Sequence, residues 1–211
     1  RERGEHDNRI GIRCAQVGCR LAQQAEIVRG IDRPLRTLFP DIVRRFRALL
    51  QREAPLRDPV DLSSLLLRVR ERMQRDAAAG GVEIAGPERL QPGIVRGDEL
   101  QIEQVLVNLV RNAIEALEGI GRQPRTVTLE LREADGLTEI RVSDNGSGIP
   151  DGVMDRLFEP FATSKGAGRG LGLAISRSIA EIHGGRLQVE RTGPDGSTFV
   201  LALPGDAGGR Q

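Results

Sequence analysis

The sequence predicts an α+β fold: a two-layer α/β sandwich with helices on one face of a mixed sheet. An antiparallel helical hairpin precedes it and forms a four-helix bundle by dimerisation. Three observations carry this expectation. Apolar residues recur at helical spacing in several separate segments, and two runs of alternating residues fold back around turn residues. A proline-bearing break, Ala54-Pro-Leu-Arg-Asp-Pro59, divides two striped helices from everything that follows.

Residues 8–29 and 33–53 read as two helices joined at Gly30-Ile-Asp32. Ile10, Cys14, Val17, Leu21 and Val28 form one stripe; Leu35, Leu38, Phe39, Ile42, Phe46 and Leu49 form the other. Pro34 suits a first helical turn, whereas Pro40 should kink the second helix or displace its start. Two narrow stripes cannot both be buried by one hairpin, hence the dimeric bundle. After the break, Val60-Asp61 opens a helix to about Ala79, with Leu62, Leu65, Leu66, Val69 and Met73 on one side.

Val82–Ala85 and Ile94–Arg96 are short strand candidates. Glu99–Leu117 is the strongest helix, because Ile102, Val105, Leu106, Leu109, Ala113 and Leu117 keep a 3.6 period. Thr126–Arg132 and Thr138–Ser143 pair around Asp135-Gly136, and Arg186–Arg191 and Thr198–Leu203 pair around Pro194-Asp-Gly196. Leu171–Ile182 is helical and stops at His183-Gly-Gly185. No internal repeat or low-complexity segment is present.

Lys+Arg 31 against Asp+Glu 30 gives a net charge of +1, too little to draw nucleic acid or anionic lipid. With no Trp or Tyr, base stacking on aromatic platforms is also disfavoured, so no nucleic-acid partner is expected. No apolar run approaches the roughly 18 residues of a membrane span. The chain starts at Arg1 without a signal peptide, and is expected to be a soluble piece of a longer protein. Any membrane contact would come through segments absent from it. Cys14 and Cys19 lie on different faces of a predicted helix and read as ordinary thiols in a reducing compartment.

Four short blocks follow one another in the second part of the chain: Gln104-Val-Leu-Val-Asn-Leu-Val-Arg-Asn112, Asp144-Asn-Gly-Ser-Gly148, Leu157-Phe-Glu-Pro-Phe-Ala-Thr-Ser-Lys165 and Gly168-Arg-Gly-Leu-Gly-Leu173. Asn108 and Asn112 stand one helical turn apart. An amide can ligate Mg²⁺ through oxygen or donate to a phosphate, though either asparagine could equally be solvated or capping. Asp144, at a strand end, can accept from the exocyclic amino group of adenine, and the glycines after it let backbone approach a ring; a plain turn fits those residues too.

Gly168, Gly170 and Gly172 just before a helix make a phosphate cradle of backbone amides and helix N-terminus. Lys165 and Arg169 would add charge-assisted contacts. Phe158 and Phe161 look like apolar anchors, or core residues, in a segment from Asn145 to Arg169 that is expected to order over a ligand as a lid.

With these blocks in order, the segment from about Val60 to Pro204 resembles the ATP-binding catalytic domain of bacterial sensor histidine kinases. That domain has the GHKL, or Bergerat, fold shared with gyrase, the heat-shock chaperones of the ninety-kilodalton class and MutL. The resemblance implies an N box (Asn108, Asn112), a G1 box (Asp144, Gly146, Gly148), an F box (Phe158, Phe161) and a G2 box (Gly168, Gly170, Gly172), with Leu171 expected among the cofactor-binding residues. It implies ATP and Mg²⁺ as cofactors, with Asn112 holding the metal, Asp144 reading adenine and Lys165 and Arg169 near the phosphates. Gyrase-like ATPases carry a Glu one turn before the metal-binding Asn to activate water. Here that position is Asn108, which cannot take a proton and so favours a kinase over a hydrolase.

The helical hairpin resembles the dimerisation and phosphoacceptor domain of the same family. Of the two histidines, His183 precedes Gly-Gly at a helix end, where a donor or cation suits the dipole, and reads as structural. His6, followed by Asp7, matches the family's acceptor pattern of His with an acidic neighbour. Its imidazole would attack the γ-phosphate while Asp7 takes or stabilises the proton. The usual His-Glu with a following Pro-Leu is replaced here by His6-Asp-Asn-Arg-Ile-Gly-Ile.

The expected organisation is residues 1–54 for dimerisation and histidine phosphotransfer, 60–205 for ATP binding and 206–211 as a tail. The expected activity is a cytoplasmic, homodimeric ATP-dependent protein-histidine kinase that donates its phosphoryl group to a response-regulator receiver domain. The alternative is a degenerate kinase that binds ATP and serves as an interaction scaffold.

Overall fold

The computed structural model describes residues 58–87, 93–121, 123–160 and 170–206. In chain order they form β1 (Asp58–Asp61), α1 (Leu62–Ala79), β2 (Val82–Ala85), β3 (Ile94–Gly97), α2 (Glu99–Ala116), β4 (Arg125–Ala134), β5 (Leu137–Asp144), α3 (Asp151–Met154), α4 (Gly172–Ile182), β6 (Arg186–Gly193) and β7 (Gly196–Pro204). The helical hairpin expected over 1–54, with His6, Asp7, Cys14 and Cys19, lies outside the described residues.

Five strands make one mixed sheet in the order β2-β4-β5-β7-β6. The β2–β4 pair is parallel and the other pairs are antiparallel. Period-two alternation sorts the two faces. Val127 stands opposite Asp144, Leu129 opposite Val142 and Leu131 opposite Ile140; the row continues through Leu201 and Phe199 of β7. These side chains are buried under the helices, together with Leu62, Leu65, Leu66 and Val69 of α1 and Ile102, Val105, Leu106 and Leu109 of α2. The opposite face carries charge pairs: Arg132 with Glu130 (2.9 Å), Arg186 with Glu139 (3.9 Å) and Arg141 with Glu190. Pairs of this kind keep a face soluble and add little stability. The expected sandwich, helices on one face of a mixed sheet, is the observed one.

Helices α1 and α2 start where a carboxylate caps them. Asp61 Oδ1 accepts from the Ser63 amide at 3.0 Å, and its Oδ2 accepts from the Ser64 hydroxyl at 2.6 Å. These bonds, the hydroxyl's first, hold the Asp61 carboxyl below the ordinary carboxylate range. Asp98 Oδ1 accepts from Leu100 at 3.0 Å and Gln101 at 3.2 Å to cap α2. Arg68 with Glu99, and Arg72 with Glu103 at 2.7 Å, bridge α1 and α2 across their exposed sides.

The chain enters α1 differently from the expectation. The break was expected to run through Pro59, with Val60-Asp61 opening the helix. Instead Asp58–Asp61 is a strand antiparallel to β3, with Val60 buried and Asp61 acting as cap. A four-residue strand is too short to show a period, and Pro59 is tolerated because a two-stranded ladder has an outer edge that needs no donor. Beyond β7, Asp206 donates its N–H to the Ile94 carbonyl at 2.8 Å, so the first tail residue is tied to β3. Among the described residues no helix is long and apolar enough to cross a membrane.

Candidate functional site

A cavity of about 530 Å³ opens between α2, the end of β5 and the N-terminus of α4. That volume suits a small-molecule ligand of nucleotide size. Asn112, Glu115 and Ala116 of α2 form one wall, and Gly170, Gly172 and Leu173 form another. Ser147–Pro150, Val153 and Leu157 lie along the rim, with Asp144, Ser197 and Phe199 at the base.

Asp144 is at the base because of strand register. It continues the core-facing row of β5 two residues after Val142, so a carboxylate takes a place that alternation reserves for an apolar side chain. It is 5 % exposed. Burial pushes its pKa up; the Gly146 and Ser197 amides and the more distant Arg191 pull the other way without cancelling it. Gly146 donates to Oδ1 at 2.8 Å and Ser197 donates to the same oxygen at 3.3 Å. With both bonds on Oδ1, the carboxylate keeps acceptor capacity on Oδ2.

Two glycines fit the turn after Asp144 to its surroundings. Gly148 has φ +76°, and a Cβ there would strike the Gly193 carbonyl oxygen. At Gly146 a Cβ would come within 2.8 Å of the Ala116 carbonyl oxygen, so the turn lies directly against the end of α2. Asn145 secures the same turn from outside: its Oδ1 accepts from the Thr126 amide at 2.8 Å and its Nδ2 donates to the Pro124 carbonyl at 2.7 Å.

The two asparagines of α2 have separate surroundings. Asn112 lines the cavity, and its amide makes no hydrogen bond among the described residues. Asn108 lies one turn deeper. Its Nδ2 donates to Ser176 Oγ at 3.0 Å, and its Oδ1 occupies the space a Cβ on Gly172 would need. Asn108 therefore fastens α4 to α2 rather than lining the cavity. Leu171 is the buried N-cap of α4, 5 % exposed, and points into the core. Phe158 is half-buried with the Arg177 guanidinium 5.3 Å from its ring centroid, in keeping with an anchor against α4. Phe161, Lys165, Gly168 and Arg169 lie outside the described residues.

An oxygen-donor amide beside a cleft suits Mg²⁺, a hard cation that usually takes few protein ligands and completes its shell with water and phosphate. Asn112 presents such an amide to the cavity. Sequence reasoning did not name Val153, Ser197 or Phe199. Alternation back from Leu203 through Leu201 and Phe199 would have put Ser197 on the core-facing row beside Asp144. Val153 sits in a four-residue helix, too short to carry a period.

His183 is structural, as expected. Its Nε2 accepts from the Asp98 amide at 3.0 Å, so Nδ1 carries the proton and donates to the Ile179 carbonyl at 2.8 Å. The imidazole thus joins the end of α4 to the start of α2.

Residues 97–207 match the family described as histidine kinase-, DNA gyrase B- and HSP90-like ATPase, which covers more than half of the chain. Sensor protein FixL of Bradyrhizobium diazoefficiens is 40% identical over 173 residues, covering 77% of this chain and 32% of FixL. Among solved structures, full-length ShkA in complex with AMPPNP superposes with a TM-score of 0.66 at 30% identity, over 81% of this chain and 36% of ShkA. The catalytic domain of histidine kinase ThkA gives a TM-score of 0.60 at 27% identity, over 71% of this chain and 95% of that domain. The chain spans about a third of the length of FixL. Sequence match and superposition agree: the chain belongs to the histidine kinase-, DNA gyrase B- and HSP90-like ATPase family, in the form carried by sensor histidine kinases.

Proposed function

We propose that the chain is the catalytic core of a homodimeric histidine kinase that binds Mg-ATP, phosphorylates His6 and passes the phosphoryl group to a response-regulator aspartate. The division into 1–54 for the acceptor hairpin and 60–205 for ATP binding belongs to this reading. The observation that carries it is Asp144: a buried carboxylate at a cavity base, held by two backbone amides through one oxygen. An adenine 6-amino group can donate to the remaining oxygen, where guanine would present a carbonyl. The ATP analogue in the ShkA structure supports the same ligand class.

The phosphates then extend toward Asn112 and the N-terminus of α4. Backbone amides and the helix dipole favour an anion there, and Gly170 and Gly172 keep side chains out of the way. Gly168, Lys165 and Arg169 complete this cradle in the proposal. Asn112 would hold Mg²⁺, which neutralises charge on the phosphates when bound. Asn108 is engaged with Ser176 and offers no base for water, which supports transfer to protein over hydrolysis. In the transfer, a neutral imidazole nitrogen of His6 bonds to the γ-phosphorus as the bond to the β–γ bridging oxygen breaks. ADP leaves with that electron pair, and Asp7 accepts the imidazole proton.

A second reading, a nucleotide-binding scaffold without transfer, is favoured by the His6-Asp-Asn-Arg sequence that lacks the family's proline. Incubation with γ-labelled ATP separates the two. Acid-labile, base-stable label on the parent that is lost in His6→Gln supports the kinase and its acceptor. Label that persists in His6→Gln moves the acceptor elsewhere, and ATP-dependent thermal stabilisation with no label supports the scaffold.

A further inference from the structure

The turn between β6 and β7 is joined to the Asp144 turn by a side chain outside all four sequence blocks. Thr192 Oγ1 accepts a hydrogen bond from the Ile149 amide at 2.7 Å and shares one with Ser197 Oγ at 3.0 Å. Thr192 and Ser197 face each other across the hairpin. Ser197 in turn donates its backbone N–H to Asp144 Oδ1 at 3.3 Å. A run of bonds therefore leads from Ile149 through the Thr192 hydroxyl to Ser197 and the carboxylate. The two turns also touch through backbone: a Cβ on Gly196, at φ +110°, would strike the Asp144 carbonyl oxygen.

We infer that Thr192 is a positioning residue for base selection, fixing the direction in which Asp144 presents its second oxygen to a purine 6-amino group. The inference rests on the proposed reading that this cavity takes ATP with Asp144 at the adenine. The Ser197 bond is the longer of the two on Oδ1, and hydrogen bonds weaken steeply as distance and angle drift. A small shift of the β7 start on losing Thr192 would leave the carboxylate held by Gly146 alone and free to turn. A purine lacking the amino group makes no use of that direction, so its binding should not depend on Thr192.

The test uses the full chain and calorimetric affinities for ATP and for purine riboside 5′-triphosphate, which lacks the 6-amino group. Thr192→Val keeps the shape and removes the hydroxyl, and Thr192→Ser keeps the hydroxyl. The parent is expected to prefer ATP, with Thr192→Val losing about fivefold of that preference through weaker ATP binding alone. Thr192→Ser should restore it. Should Thr192→Val fail to fold, Thr192→Ala carries the same expectation. An equal loss for both nucleotides, or no loss for either, overturns the inference while leaving the adenine reading intact. A parent without preference for ATP overturns both.

Discussion

Asp144 occupies a position where strand alternation calls for a hydrocarbon, and the consequences can be measured on that residue alone. Its folded-state pKa lies above the unfolded value, so its contribution to stability is fully present below the unfolded pKa and is lost as pH rises through the folded one. At neutral pH the ionised carboxylate opposes folding of the unliganded protein. Asp144→Asn should therefore melt at a higher temperature than the parent at neutral pH, with the gap closing in acid. Ligand binding should show the opposite trend: ATP affinity of the parent should fall on acidification, beginning above the ordinary carboxylate range, because the acceptor is lost on protonation. Thermal melts without nucleotide and calorimetry with it, across pH, check both. The sequence showed Asp144 as either a turn residue or a ligand. Only the register of β5 against β4 and β7 puts its carboxylate at the base of the cavity, and register is a long-range property.

Helix α4 is fastened at both ends to α2, by Asn108 to Ser176 near its start and by His183 to Asp98 at its end. The two helices that wall the cavity are thereby held as one unit. Replacing His183 with Ala strands the Asp98 amide in a partly buried place, at an expected cost of about 1–3 kcal/mol, while the Ile179 carbonyl keeps the backbone N–H of residue 183. Gly97 offers a sharper test, since a Cβ there would meet the His183 ring. Gly97→Ala should destabilise the parent by at least about 1 kcal/mol but cost much less in a His183→Ala background. Additive losses in denaturant titrations would show that the contact carries no coupling. At this scale the sequence was informative where periods are long: α1, α2 and α4 start and stop within a residue or two of expectation. It assigned β1 to the break and the helix start and was silent on α3, each of four residues, and it could not show that Asn108 and Asn112 would divide between fastening and lining.

The described residues are built on a single-sided sheet, apolar under the helices and charge-laced on the outside, with the cavity where the apolar layer opens at the end of β5. The architecture was legible because two hairpin signatures and one strong amphipathic helix leave few ways to bury the remaining faces. Leu106 lies at the centre of that layer and is fully buried; Leu106→Ala should cost about 2–5 kcal/mol, measurable by urea denaturation. What the sequence could not supply is the joining of distant turns, such as β6–β7 against the Asp144 turn, since no local pattern records which loops meet. The central proposal is that this opening takes ATP with Asp144 at the purine. Calorimetric titration of Mg-ATP into the parent and into Asp144→Ala tests it most directly. The expected result is measurable binding to the parent and loss of at least about tenfold in affinity in the variant, the usual size for removing a charged hydrogen-bond partner. Equal affinity in the two proteins would contradict it.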